Sequence, residues 1–220
     1  MLILSYNLIA QEKDYGIWSS TCIKKKYKKI NYEINGELRT RNNTQDIKSI
    51  NLKIICSYNL NIFNAGIGYQ FIYFNDIEYK DYQPRQRMFA FISVEKNFNN
   101  LSILIRERFQ RTIKDERDRI RLDGSYDTYR VNPEWEWRNR IKLSYYIRKT
   151  PINLITSFES FYCLSDPEFN RFNKLRYTIG IDYRLSKKHT LEIYCLKDKE
   201  INIKNPLTTY VTGISYKFKF

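Results

Sequence analysis

Hydrophobic and polar residues alternate with a period of two along most of the 220-residue chain, the mark of strands with two unlike faces. In Ile30 to Arg41, one face carries Ile30, Tyr32, Ile34, Gly36, Leu38 and Thr40, and the other carries Asn31, Glu33, Asn35, Glu37, Arg39 and Arg41. Ile50 to Leu60 and Phe63 to Tyr73 keep the rhythm, as do Ile103 to Gln110, Trp135 to Tyr145, Leu175 to Arg184 and Leu191 to Cys195. Glu107 interrupts one apolar row. Tyr15 to Lys25, Arg87 to Lys96 and Pro151 to Tyr162 alternate more weakly and are read as strands too. No helical period intervenes, so the pattern predicts an all-β chain.

The connections sort into two alternating kinds. Short ones lie near Lys24 to Lys29, Leu60-Asn61, Asn97 to Asn100, Arg148 to Pro151 and Ser186 to Lys188. Longer polar ones are expected at Asn42 to Lys48, Asn75 to Gln86, Thr112 to Asn132, Cys163 to Phe169 and Lys197 to Leu207. An up-and-down antiparallel meander predicts that order, and a transmembrane β-barrel has short turns at one end and long loops at the other. The expected fold is an up-and-down antiparallel transmembrane β-barrel of about ten to twelve strands. About eleven segments are legible, which sits badly with an even strand number. Either the first segment is not a wall strand, or a strand is unread.

Alternation alone does not say which face points inward. A soluble barrel hides its apolar face, and an outer-membrane barrel turns it to lipid. Aromatics concentrated near segment ends, segments of about ten residues or more, and a polar face mixing Arg, Lys, Glu and Asn all favour the second arrangement. The chain then closes on a strand that places Tyr210, Ile214, Tyr216, Phe218 and Phe220 on one face. This ending resembles the C-terminal strand signal of bacterial outer-membrane barrels. The resemblance implies that Tyr216, Phe218 and Phe220 form an assembly signal for the barrel-assembly machinery and its periplasmic chaperones.

Composition narrows the picture further. The chain is 42% hydrophobic, and Lys and Arg exceed Asp and Glu by 38 to 24 for a net charge of +14. Those cations are spread along alternate positions instead of clustered, which argues against nucleic acid as a partner. Cys22, Cys56, Cys163 and Cys195 are too widely spaced for a zinc motif. Residues 1–10, MLILSYNLIA, are too short for a membrane helix and resemble a signal-peptide remnant, leaving residues 11–220 as one barrel domain.

With the apolar rows turned to lipid, Glu33, Glu37, Arg39, Lys53, Arg106, Arg108, Arg138, Arg140, Glu159, Lys174, Arg176, Asp182 and Glu192 become candidates for the lumen. Such charges are expected to pair, because an unpaired buried charge is costly, and their cationic excess would give an anion-favouring constriction if a passage remains. The mixed-charge stretch Thr112 to Asn132 is expected to be a solvated surface loop. His189, the only histidine, shares parity with Leu191 and Ile193 and so faces lipid, with no orienting third group legible beside it. No catalytic residue, cofactor or metal site is assigned. The expected role is a monomeric structural or largely plugged outer-membrane barrel amid lipid and lipopolysaccharide, with a small anion pore or a lipid-modifying enzyme as alternatives.

A wider set of phrases points to one family. Gly16 and Trp18, Arg106 to Gln110, Arg138-Asn139-Arg140, Phe158 to Tyr162, Asn173 to Tyr177, Gly180, Asp182-Tyr183 and the Lys-Phe-Lys-Phe end occur in order. Together they resemble domain-of-unknown-function family 2490, predicted bacterial outer-membrane β-barrel proteins. That resemblance implies location and fold, and transfers no catalytic residue.

Overall fold

The computed structural model describes residues 12–76, 79, 81–117, 119–120, 124–166, 171–203 and 205–220, so the possible signal-peptide remnant lies outside the described residues. Eleven strands follow one another: β1 Glu12–Tyr27, β2 Ile30–Arg41, β3 Asp46–Leu60, β4 Phe63–Asp76, β5 Asp81–Phe98 and β6 Leu101–Lys114. The wall continues with β7 Glu134–Tyr146, β8 Ile152–Cys163, β9 Phe172–Arg184, β10 His189–Glu200 and β11 Leu207–Lys219. Each pairs with its sequence neighbours, and β1 closes on β11. Strands of 12 to 18 residues exceed the 9 to 11 or so that a tilted span needs.

The count of eleven overturns the even-number expectation. In an up-and-down order of eleven strands, the first and last must run the same way, so the ring closes in parallel, from Glu12 opposite Leu207 to Lys24 opposite Lys219. The first segment is therefore a full wall strand. Ser20 donates across this seam to Ser215 at 2.8 Å, and Trp18, Leu196 and Val211 form a small apolar cluster beside it with Tyr194 packed on top.

Two expected long links are shorter than their polarity suggests. The β2–β3 link spans only residues 42–45 and the β4–β5 link only residues 77–80. The ladder hydrogen bonds continue past the point where the two faces stop differing in polarity, and alternation cannot register that. Asn42, Asn43 and Thr44 hold the tight turn with φ of 52°, 53° and 73°. At the opposite end, Lys28, Asn61 and Asn99 supply the left-handed residue of the short turns, a conformation that Asn tolerates well. The β6–β7 connection, residues 115–133, is long in fact.

A belt of apolar side chains runs round the outward face. Ile34, Ile54, Ile92, Ile105, Ile141, Ile193 and Ile214 stand exposed on seven different strands, and Ile67 and Ile179 reach 67% exposure. No water-soluble domain leaves a continuous belt of this size bare, whereas lipid covers it without cost. The molecule is an all-β transmembrane barrel. Its interior is filled by polar side chains together with rings that lie over glycines of the next strand. A Cβ on Gly68 would stand 2.2 Å from the Phe89 ring and one on Gly213 2.0 Å from the Tyr194 ring, so glycine is what lets each ring lie flat on the wall.

Candidate functional site: the charged interior

Inward positions of β9, β10, β11, β1 and β2 carry cations matched to carboxylates. Lys24 Nζ lies 2.8 Å from Glu33, which sits directly opposite on β2 and lies 3.8 Å from Lys53. Arg39 Nε donates to Glu37 at 2.6 Å, and Asn51 adds a bond to the same oxygen at 3.2 Å. Arg176 grips Asp198 with two parallel bonds of 2.5 and 2.6 Å. Asp182 and Glu192 face each other across β9 and β10, and Lys217 bridges both, lying 2.9 Å from Asp182. Like charges directly opposite repel, and one ammonium between them removes that cost.

From β5 to β8 the interior is different. Arg106 stands opposite Arg140, and Arg108 opposite Arg138. Arg87 adds a fifth guanidinium and donates to Thr112 at 2.9 Å. Among the described residues one glutamate meets them directly. Glu159, 3% exposed, accepts from Arg106 and Arg138, each at 2.8 Å, and it also stands opposite Arg140 and Arg176 in the two adjoining ladders. Glu136 accepts from Gln110 at 2.8 Å. Among the described residues Arg140 hydrogen-bonds only to Ser157, at 3.4 Å. Arg108 is 7% exposed, and its guanidinium carbon stands 3.6 Å above the Phe89 ring. Among the described residues it meets no carboxylate, and its Nε and Nη2 have no hydrogen-bond partner.

Ring faces hold cations in both halves. Arg138 and Lys174 lie 4.3 and 4.2 Å from the Phe161 centroid, and Arg39 and Arg176 lie 3.9 and 5.1 Å from that of Trp18. Such contacts strengthen when desolvated. Sequence reasoning left out Arg87, Glu134, Asp198 and Lys217 as lumen candidates, although parity within their strands would have found them. It also left out Phe89 and Phe161, because β5 and β8 carry apolar residues on both faces and so alternate weakly.

The β6–β7 link is not the freely solvated loop its charge suggests. Arg119, 5% exposed, donates to Asp76 at 2.7 Å and to Asp127 at 2.9 Å. The Tyr129 hydroxyl lies 2.5 Å from Gln83 and 3.0 Å from Asp76, and it accepts from Arg85 at 3.1 Å. Asp76, Gln83 and Arg85 occupy the inner rim of β4 and β5, so this link is fastened over the mouth of the barrel. Burial pushes the Tyr129 phenol above its ordinary value, with the Asp76 bond adding to the effect and Arg85 opposing it. On the outer side of the loop, bonds from Arg117 hold the Asp115 carboxyl down at about 2.

At the short-turn end, His189 stacks beside Tyr216 and Phe218, with centroids at 5.9 and 4.9 Å, and bonds the Tyr216 hydroxyl. Phe220 packs edge-on against Phe218 at 4.6 Å, is 67% exposed, and is tied by its backbone to Lys24 at 2.9 Å. These rings form an outward aromatic cluster at the rim. Among the described residues, no group of three or more His, Cys, Asp or Glu side chains is disposed to hold a metal.

Known proteins share this architecture at low identity. The solved structure of the NanC porin matches with a TM-score of 0.53 and 13% identity, over 94% of this chain and 99% of that one. The KdgM porin matches with a TM-score of 0.48 and 11% identity, over 84% of this chain and 89% of that one. No curated protein sequence matches the chain. The model of the family described as "Protein of unknown function (DUF2490)" matches residues 15–206, and the chain belongs to that family.

Proposed function

We propose that this chain is a monomeric, integral barrel of the bacterial outer membrane, closed for the most part by its own side chains, whose residual passage favours small anions. One observation carries the reading: Arg108, buried in the arginine-rich half of the interior, has two guanidinium nitrogens without a hydrogen-bond partner among the described residues. A cation held in low dielectric with free donors attracts an anion and repels a cation. The fold it shares with a structure named a porin supports a channel over an enzyme. The packed interior supports a narrow one, because Phe161, Glu159, Gln110 and Thr112 are each no more than 3% exposed. The terminal aromatic row, Tyr216, Phe218 and Phe220, fits the role of an assembly signal on this reading.

Recording from purified protein in planar bilayers tests the proposal. Little steady current is expected, and under a salt gradient the reversal potential should fall on the anion side. Arg108→Ala should move it toward zero. A large stable channel, or cation selectivity, would sink the proposal. Location is tested separately by fractionation: deleting Phe220 should lower the amount of heat-modifiable protein in the outer membrane, and recovery of the intact chain in a detergent-free soluble fraction would defeat that part.

A further inference from the structure

The outward row of β6 carries two charges that the barrel treats differently. Glu107, on the outward row of β6, accepts from the Trp137 indole at 2.7 Å. Arg111, four residues nearer the long-loop end, meets only the Trp135 ring, 5.4 Å from its guanidinium carbon. Among the described residues it has no carboxylate or hydrogen-bond partner, and its Nε is buried without an acceptor. A bare Arg on the outer face of a barrel is costly at the bilayer midplane and cheap at the headgroup level. Arg111 lies three residues from the end of β6, close to the headgroup level.

Below it runs an apolar trough of about 660 Å³ on the outside of β3 to β7, bordered by Ile54, Ile67, Met88, Phe109 and Trp135. Its floor is Ala90, which sits between Ile67 and Phe109 in the ladder where neighbouring outward positions carry large side chains. A second outer trough of about 740 Å³, over β1 to β4, has no Lys or Arg among its lining residues. Only the first therefore joins a groove fit for an acyl chain to an unsatisfied guanidinium at the level of lipid phosphates.

We infer that this trough is a binding site for a phosphorylated glycolipid of the lipid A type, with an acyl chain over Ala90 and a phosphate on Arg111. The inference rests on the outer-membrane reading, which puts the long-loop end in the outer leaflet where such a lipid resides. Guanidinium and phosphate make short, charge-assisted bonds, and Trp135 keeps the guanidinium plane in place.

Native mass spectrometry of the detergent-purified barrel, mixed with lipid A, with its dephosphorylated form and with phosphatidylglycerol, tests the site. The wild type should retain lipid A over both other lipids. Arg111→Ala should weaken retention about tenfold or more, as expected when one bond to a charged group is lost. Arg111→Lys should recover part of it, and Ala90→Trp, which fills the trough from the lipid side, should abolish it. Equal retention by wild type and Arg111→Ala overturns the inference. So does equal binding of phosphorylated and dephosphorylated forms, or a preference for phosphatidylglycerol. Fractionation keeps the two readings apart: an outer-membrane protein that ignores lipid A defeats the site alone, and absence from that membrane defeats the location.

Discussion

Around the β1–β11 seam, Lys24, Arg39, Arg176 and Lys217 each have a carboxylate within 2.9 Å, whereas among the described residues from β5 to β8 Arg87, Arg106, Arg108, Arg138 and Arg140 have one carboxylate within ion-pair distance, Glu159, which reaches two of them. Both regions draw on the same residue types at the same inward parity. Register separates them. Around the seam the ladders set Lys24 against Glu33 and Arg176 against Asp198, and the like pair Asp182 and Glu192 is bridged by Lys217. Between β6 and β7 the ladder sets Arg106 against Arg140 and Arg108 against Arg138, and the repulsion falls on a single carboxylate from β8. One half is neutralised by its own neighbours, and the other keeps cationic capacity.

The sharpest way to break this contrast is Glu159→Gln. It removes the negative charge shared by Arg106 and Arg138 and turns one of its two accepting oxygens into an amide donor, at a site where the glutamate side chain is 4% exposed. Removing one member of a buried ionic set leaves uncompensated charge and costs about 3 to 5 kcal/mol. Urea unfolding of the barrel refolded in vesicles measures it. A loss below about 1 kcal/mol, the range of solvated ion pairs, would mean that the arginine half is wet and its charges screened.

A smaller effect comes from truncating one arginine in each half. Arg176→Ala strands Asp198, and because that pair is part-exposed the loss should be about 2 kcal/mol. Arg108→Ala strands no carboxylate and relieves repulsion from Arg138, so its cost should stay within about 1 kcal/mol, mostly the lost contact with Phe89. Equal destabilisation by the two variants in the same unfolding assay would erase the distinction between the halves.

Face assignment was legible in the sequence and partnership was not, for the same physical reason. A period of two follows from pleating within a single strand, so Glu33, Arg39, Arg108 and Arg176 declare their side of the wall without knowledge of any neighbour. Which cation meets which anion depends on how adjacent strands slide, and the turns that fix this include Asn42 to Thr44, which read as part of a longer loop. The parallel closure of β1 on β11 follows from the eleven segments that the alternation shows, and only the expectation of an even strand number concealed it. The folded β6–β7 link was missed because mixed charge describes both a solvated loop and one whose Arg119 and Tyr129 reach back to the inner rim.

The smallest expected effect concerns that link, which covers the arginine half of the mouth through Asp76, Gln83 and Arg85. The folded state raises the Tyr129 phenol above its ordinary value, so the fastened loop prefers the neutral hydroxyl. The stabilisation it brings is fully present below the ordinary value of about 10 and fades as pH rises through the folded value. Ionised, the phenolate faces Asp76 with like charge and has lost the proton it shares with Gln83. Subtilisin cleavage within residues 115–133 should therefore accelerate modestly only as pH rises above about 10, beyond the protease's own pH response on an unfolded peptide of the same sequence. Tyr129→Phe should be cut faster at neutral pH and show no further acceleration. If that variant keeps the wild-type pH profile, another group fastens the loop, and the cover over the arginine half does not depend on Tyr129.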